Sequence, residues 1–301
     1  MSLVWSGVIV VVVLVSLVKY WQLDEPVKGV QALQQRLTVE DEPTPVPYMN
    51  LDTSQLESIS AAAYLVKKMG EPVVITGKRY DLPRAPASTT KMMTALVALQ
   101  DYKLDEVVSN EVVKVIGSQI GLRYGEQLSV ENMLFGLMLA SGNDVAESLA
   151  VYHLGGRERF VQRMNEMADE LGLKNTRFAN PSGLDESGHY ASAADLATIA
   201  EYGLSQPVFA RIVNVSEAEI RTTDGRVAHH FVNLNELLNE DLGVTGVKTG
   251  YTDLAGDVLV TSVRRGEDTY IFVVMGSEDR FADTRGLIQW LDEVVLGREG
   301  E

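Results

Sequence analysis

A serine and a lysine stand three residues apart in Pro86-Ala87-Ser88-Thr89-Thr90-Lys91-Met92-Met93-Thr94-Ala95-Leu96, and the chain stays apolar through Val97 and Leu99. Pro83 and Pro86 stop any strand before this stretch and favour a helix start. Residues three apart on a helix share a face, so Ser88 and Lys91 project together. Met92, Leu96, Val97 and Leu99 leave little of the helix surface polar, and a helix apolar nearly all round is a buried one. An uncompensated ammonium inside a protein costs several kcal/mol. A lysine on such a helix is out of place unless it has a job.

The pair is a nucleophile beside a base, or a helix cap beside a charge. One Ser-x-x-Lys is expected by chance in a chain of about this size. The chain contains a second, Ser16-Leu17-Val18-Lys19, inside an apolar run where no chemistry is expected. The decision rests on what accompanies Ser88.

Length and charge narrow the field. With 301 residues the chain can bury one large core or two small ones. A net charge of −16 argues against nucleic acid as a partner, because phosphate binding needs a basic face. There is no cysteine, which removes disulfides, thiolate catalysis and cysteine metal sites. His153, His189, His229 and His230 show no metal-ligand spacing, so no metal is expected and these side chains are assigned to surface or hydrogen-bonding roles. Arg285 is read as a helix-surface ion pair in preference to a carboxylate ligand.

Residues 3–18 are almost wholly apolar, with Trp5 near one end and Tyr20-Trp21 at the other. A spanning helix needs about 20 apolar residues, with a lower limit near 17, and aromatic residues favour the two interfaces. Residues 1–21 are expected to form a membrane anchor or uncleaved signal, in preference to a cleaved signal of a secreted protein or a buried helix, since there is neither a basic start nor a small-x-small cleavage site. Lys19, Lys28 and Arg36 follow the segment, a bias that favours a cytoplasmic domain. Residues 22–57 are expected to be a linker, because Glu40-Asp41-Glu42-Pro43-Thr44-Pro45-Val46-Pro47 combines charge with alternating prolines. A single globular domain is expected over residues 58–298.

Within that domain two apolar runs around Gly70 predict a hairpin. Ser129 is placed to cap a helix through Leu139, which breaks at Ser141-Gly142-Asn143-Asp144 before a second helix resumes. Residues 157–171 and 193–204 predict two more helices, separated by a long loop at 180–190 of the kind often used for function. Strands are expected near 215–222, 244–252, 256–263 and 270–275, then a helix over 280–296. Hairpin, helices, strands and helix in that order predict an α+β fold: an antiparallel sheet built from both chain ends, with a helical region inserted between them.

Three polar clusters stand in order: Ser88-Thr-Thr-Lys91, Ser141-Gly-Asn143 and Lys248-Thr-Gly250. Singly they are a helix cap, an inter-helix turn and a strand-end turn. Jointly they match the S-x-x-K, S-x-N and K-T-G set of penicillin-binding proteins and class A β-lactamases. The flanking residues extend the match. Met138-Leu139-Ala140-Ser141-Gly142-Asn143-Asp144-Val145-Ala146, Asn180-Pro181-Ser182-Gly183-Leu184-Asp185 and Gly246-Val247-Lys248-Thr249-Gly250-Tyr251-Thr252 resemble the D-alanyl-D-alanine carboxypeptidases, the low-molecular-mass penicillin-binding proteins. The resemblance covers residues 59–296. A class A β-lactamase fits less well, since no E-P-x-L-N segment is present to supply a deacylating glutamate.

The resemblance implies a penicillin-binding protein/β-lactamase-like fold and a serine-type carboxypeptidase that removes the terminal D-alanine of peptidoglycan stem peptides. It implies Ser88 as nucleophile, Lys91 as its base, Ser141 as proton carrier to the leaving amine and Asn143 as a positioning group. Lys248, Thr249, Gly250 and the backbone of Tyr251 would bind substrate. No cofactor is implied, and β-lactam antibiotics would be covalent inhibitors. Such a substrate lies outside the cytoplasm, which favours an extracytoplasmic domain tethered to the cell membrane by its N-terminal helix, against the charge bias. Two alternatives remain: a D,D-endopeptidase cutting cross-links, and a low-turnover penicillin-binding sensor or scaffold. Tyr251 stands where many relatives carry histidine, and Thr245 where many carry aspartate.

Overall fold

The apolar run at 270–275 becomes the centre of the main sheet. A computed structural model describes residues 51–112 and 114–297. The expected anchor and all but the last residues of the expected linker lie outside the described residues. In chain order the strands are β1 (Ala63–Lys68), β2 (Val74–Lys78), β3 (Val107–Ser109), β4 (Gln127–Ser129), β5 (Glu217–Arg221), β6 (Ala228–Val232), β7 (Val244–Thr252), β8 (Gly256–Arg265) and β9 (Asp268–Ser277). The helices are α1 (Lys91–Asp101), α2 (Val130–Met138), α3 (Asn143–Tyr152), α4 (Gly156–Glu170), α5 (Ala193–Leu204), α6 (Pro207–Val213) and α7 (Arg280–Trp290).

The main sheet has the order β2-β1-β9-β8-β7, with every neighbouring pair antiparallel. β1 and β2 come from the start of the domain and β7 to β9 from its end, as the pattern of runs predicts. β9 sits in the middle, and both of its faces are buried. Tyr270, Phe272 and Val274 pack with Leu259, Leu287, Ile288 and Trp290 under α7, while Ile271, Val273 and Met275 point to the opposite face. Truncating a fully buried tryptophan such as Trp290 to alanine costs about 3–5 kcal/mol. The inserted helices lie between β2 and β7 in sequence, and the turn that precedes the first of them packs against β7 at the edge of the sheet.

Caps set the helix starts. Ser129 Oγ accepts from Asn132 N at 3.2 Å, Ser192 Oγ from Asp195 N at 3.1 Å, and Asp279 Oδ1 from Phe281 N and Ala282 N. α1 is preceded by a 3₁₀ turn, Ala87–Thr90, so Ser88 lies on a tighter turn than the expected start of a regular helix.

The folded domain begins before residue 58. Leu51 packs against the core, Leu56 is buried on a 3₁₀ turn at Ser54–Ser58, and Trp290 Nε1 donates to Asp52 O at 2.7 Å. Two leucines five apart make no periodic pattern, so only the tertiary contact reveals them. The short helix α6, the strand pair β3–β4 and the partner strand β6 were likewise outside the sequence expectation; each is seven residues or fewer. The last helix ends at Trp290 and continues as a π-helical turn, Leu291–Val295, where an α-helix through 296 was expected.

Candidate active site

The turn carrying Ser88 is held from two sides by backbone in close contact. Ala87 has a positive φ of 48° and is fully buried. A Cβ on Gly183 would lie 1.9 Å from Ala87 O, and one on Gly250 would lie 2.9 Å from Ser88 N. Both positions therefore require glycine, and through them the 180–190 loop and β7 close on the turn.

Lys91 is fully buried and surrounded by oxygen. Its Nζ lies 2.9 Å from Ser88 Oγ, 2.7 Å from Asn143 Oδ1 and 2.5 Å from Ser182 O. Burial holds its pKa well below the ordinary lysine value, and the charge of Lys248 pushes it the same way; Glu147 and Asp144 oppose both. A neutral amine has two N–H bonds and one lone pair. Two N–H donors match Asn143 Oδ1 and Ser182 O, which leaves the lone pair for the Ser88 hydroxyl proton. Ser88 thus engages Lys91 and does not act as a helix cap.

Ser141 and Asn143 occupy the break between α2 and α3. Ser141 has a φ of 59°, is 3% exposed, and its Oγ is buried without a hydrogen-bond partner among the described residues. A buried hydroxyl without a partner is costly, and this one stands two residues before Asn143. Asn143 Nδ2 donates to Ile116 O at 2.7 Å, which fixes the amide with Oδ1 toward Lys91. The Asp144 carboxylate accepts from the backbone N–H groups of Ile120, Gly121 and Leu122, strapping the adjacent loop to α3.

β7 forms the facing wall. Lys248 is 1% exposed and donates to Thr249 O at 3.1 Å. Burial, with the nearby Arg280 adding to it, pulls its pKa down to about 7. Arg280 Nη1 donates to Gly250 O and to Asp257 Oδ1, both at 3.0 Å, so it braces the strand beside Lys248. Arg280 was not singled out from sequence; its position just after β9, at the entry to α7, was the available signal. Arg285 pairs with Glu240 at 2.6 Å on the surface, as expected. Tyr251 is 60% exposed, so its side chain contributes to the rim while its backbone continues the strand. Thr245 Oγ1 lies 2.8 Å from Ser262 Oγ on β8, a neutral cross-strand pair where an aspartate would bring charge.

The 180–190 loop touches the Ser88–Lys91 turn and the end of β7. Ser182 O meets Lys91, Gly183 meets Ala87, and Asp185 accepts from Thr252 Oγ1 at 2.7 Å and from Leu254 N at 3.3 Å. Sequence reasoning marked the loop as functional but not the Ser182 carbonyl, since a backbone group carries no residue signature. Of the eight expected site residues, hydrogen bonds join Ser88, Lys91 and Asn143, and Gly250 lies against Ser88 N; Lys248, Thr249 and Tyr251 share the strand of Gly250, and Ser141 stands two residues before Asn143. Among the described residues no group of three or more His, Asp or Glu is placed to hold a metal ion.

A buried Ser-Lys pair between a helical region and the edge of an antiparallel sheet defines a serine peptidase of the penicillin-binding protein/β-lactamase class. Comparison with known proteins narrows the class. The family model described as D-alanyl-D-alanine carboxypeptidase, peptidase S11, matches residues 50–279, and the chain belongs to this family. It is 38% identical over 233 residues to the D-alanyl-D-alanine carboxypeptidase DacF of Bacillus subtilis, a match spanning 75% of this chain and 59% of that protein. A D-alanyl-D-alanine carboxypeptidase of Mycobacterium tuberculosis is 34% identical, covering 71% of this chain and 74% of that one. The crystal structure of the Streptomyces K15 DD-transpeptidase superposes with a TM-score of 0.73 at 31% identity, covering 77% of this chain and 97% of that one.

Proposed function

We propose that the chain is a serine-type D-alanyl-D-alanine carboxypeptidase acting on peptidoglycan stem peptides through an acyl-enzyme on Ser88. The observation that carries this reading is the neutral-favouring, fully buried Lys91 within 2.9 Å of Ser88 Oγ. In acylation the Ser88 proton passes to Lys91 Nζ as Oγ attacks the carbonyl of the penultimate D-alanine. The backbone N–H groups of Ser88 and Tyr251 stabilise the oxyanion. Collapse breaks the C–N bond, and the proton reaches the departing D-alanine nitrogen through Ser141 Oγ. Water then attacks the ester as Lys91 takes its proton; collapse breaks the bond between the acyl carbon and Ser88 Oγ, Lys91 returns the proton to Oγ, and the shortened peptide leaves with Ser88 and Lys91 restored.

Lys248 and Thr249 hold the substrate's terminal carboxylate, and Arg280 keeps the Gly250 carbonyl fixed beside them. The substrate backbone lies along β7 as an added edge strand. No step requires a metal or organic cofactor. A penicillin occupies the same place and acylates Ser88, with slow release. The apolar run at 3–18 and the location of such substrates support a tether that holds the domain outside the cytoplasm. Protease treatment of intact cells tests that location: a domain protected until the membrane is opened removes it.

The central experiment pairs a fluorescent penicillin with a peptide ending in D-Ala-D-Ala, using the native protein and Ser88→Ala. Labelling and D-alanine release are both expected from the native protein and neither from the variant. Labelling that survives Ser88→Ala removes Ser88 as nucleophile, and labelling without D-alanine release removes the carboxypeptidase reading.

A further inference from the structure

Three of the histidines lie in ion-pair geometry: His153 with Asp101, His229 with Glu126 and His230 with Glu217. His189 is placed differently. It is 7% exposed and lies near the end of the 180–190 loop, its ring between Thr90 of the Ser88 turn and the backbone of Ala179, with Phe178 edge-on against it at 5.9 Å. Its Nδ1 accepts the backbone N–H of Ala179 at 3.0 Å, so in the neutral ring the proton is on Nε2. Nε2–H then donates to Thr90 Oγ1 at 2.8 Å.

This arrangement needs an uncharged ring, because a proton on Nδ1 would face the Ala179 N–H. The surroundings supply that state. Burial pulls the His189 pKa down to about 4, the Lys91 charge on α1 acts in the same direction, and Glu186 and Asp185 of the loop oppose them.

The two ends of the ring join the two segments that surround Lys91. Thr90 precedes Lys91 directly and follows Ser88 by two residues. Ala179 leads into the loop that brings Ser182 O to Lys91 and Gly183 to Ala87. We propose that His189 is a positioning residue for acylation, its Nε2–H link to Thr90 fixing the Ser88–Lys91 turn against the loop that holds the lysine amine. The inference rests on the reading of Ser88 as the acylated nucleophile. Displacement of a reacting group by about 1 Å can cost 10²-fold in rate, so a clamp on the turn has kinetic consequences.

Two conservative variants separate the ends of the ring. Asparagine places its Oδ1 where imidazole has Nδ1, and glutamine places its amide nitrogen where imidazole has Nε2. His189→Asn therefore keeps the Ala179 contact and loses Thr90, while His189→Gln does the reverse; Thr90→Val removes the link from the other side. The measurement is the rate of Ser88 acylation by a fluorescent penicillin across about pH 5 to 9, on the full chain, with the Tm of each variant.

Acylation is expected to fall about 10-fold or more in His189→Asn and Thr90→Val and to stay within about threefold of native in His189→Gln. The double variant His189→Asn with Thr90→Val should be no slower than the slower single, because both remove one link. The acid limb should move to higher pH in His189→Asn as Lys91 loses its fixed surroundings. Native-like rates in all variants, or losses that follow Tm with no difference between Asn and Gln and no shift of the limb, overturn the proposal. Absence of labelling in the native protein instead removes the reading of Ser88, a result seen before any variant is compared.

Discussion

Lys91 and Lys248 are both buried to within 1% of full exclusion, yet the protein surrounds them in opposite ways. Lys91 has oxygen on three sides, supplied by Ser88, Asn143 and Ser182. Lys248 donates to the carbonyl of the next residue, and across the cleft Ser141 Oγ is a buried orphan. A base must be held in one place before substrate arrives, so its partners are built in. A cation that binds a carboxylate keeps its strongest partner for the substrate. On the proposed roles, loss of the amine at Lys91 should therefore damage the chemical step, and loss of charge at Lys248 should damage binding.

The largest effect is expected from Lys91→Met, which preserves volume and removes the base. Acylation by penicillin should fall at least about 10³-fold while the fold is retained. Lys91→Arg should fail equally, because a guanidinium cannot become neutral. Appreciable acylation in either variant breaks the assignment of Lys91 as base.

Gly250→Ala should follow, with acylation reduced about 10²-fold and stability lowered by about 1–3 kcal/mol, because its Cβ presses on Ser88 N. Stopped-flow acylation and urea unfolding measure the two effects. Normal acylation in a folded Gly250→Ala protein would show that the close approach is not needed.

Lys248→Gln should raise KM for a D-Ala-D-Ala peptide about 10²-fold with a smaller effect on kcat. Its pH dependence follows from the charge it must carry. With a folded pKa near 7, free Lys248 loses its proton as pH rises through neutrality, so kcat/KM should fall on the alkaline side. Lys91 works in the other sense, and its acid limb should lie below the ordinary lysine value.

The same depression sets a slope in stability. Between about 7 and the unfolded lysine pKa near 10.4, the unfolded chain binds one more proton than the native Lys248 site. Stability from this group therefore rises with pH in that window, by about 1.4 kcal/mol per unit, and the rise is absent below it. Urea unfolding of Lys248→Gln at several pH values should show this contribution gone; an unchanged slope would mean that Lys248 is charged in the native protein. Arg285→Ala should give the smallest effect, within about 0.5 kcal/mol and with activity intact, because its pairing with Glu240 is exposed.

Much of the site was legible because its motifs are local. The Ser88–Lys91 spacing, the Ser129 cap, the break at 141–144 and the strand through 248–250 each announce themselves within a few residues. Their joint order also indicated one cleft. What stayed hidden has no local signature. Arg280 and Arg285 are five residues apart on one helix, and only the packing of α7 on β8 and β9, which brings Arg280 to Gly250 O and Asp257, decides which braces the cleft. Leu51 and Leu56 are too few to form a pattern, though they seal one end of the core.

The sequence by itself determined the order of the longer elements, the buried character of α1 and the set of chemical groups, because hydrophobic period and residue type are properties of short segments. The tertiary structure decided the state of those groups. Lys91 meets Asn143 from 52 residues away and Ser182 from 91, and its depressed pKa comes from burial beside a second lysine on β7. Desolvation and long-range pairing do not exist until distant segments are packed together, so the proton affinity of Lys91 could be required from the sequence but only produced by the fold.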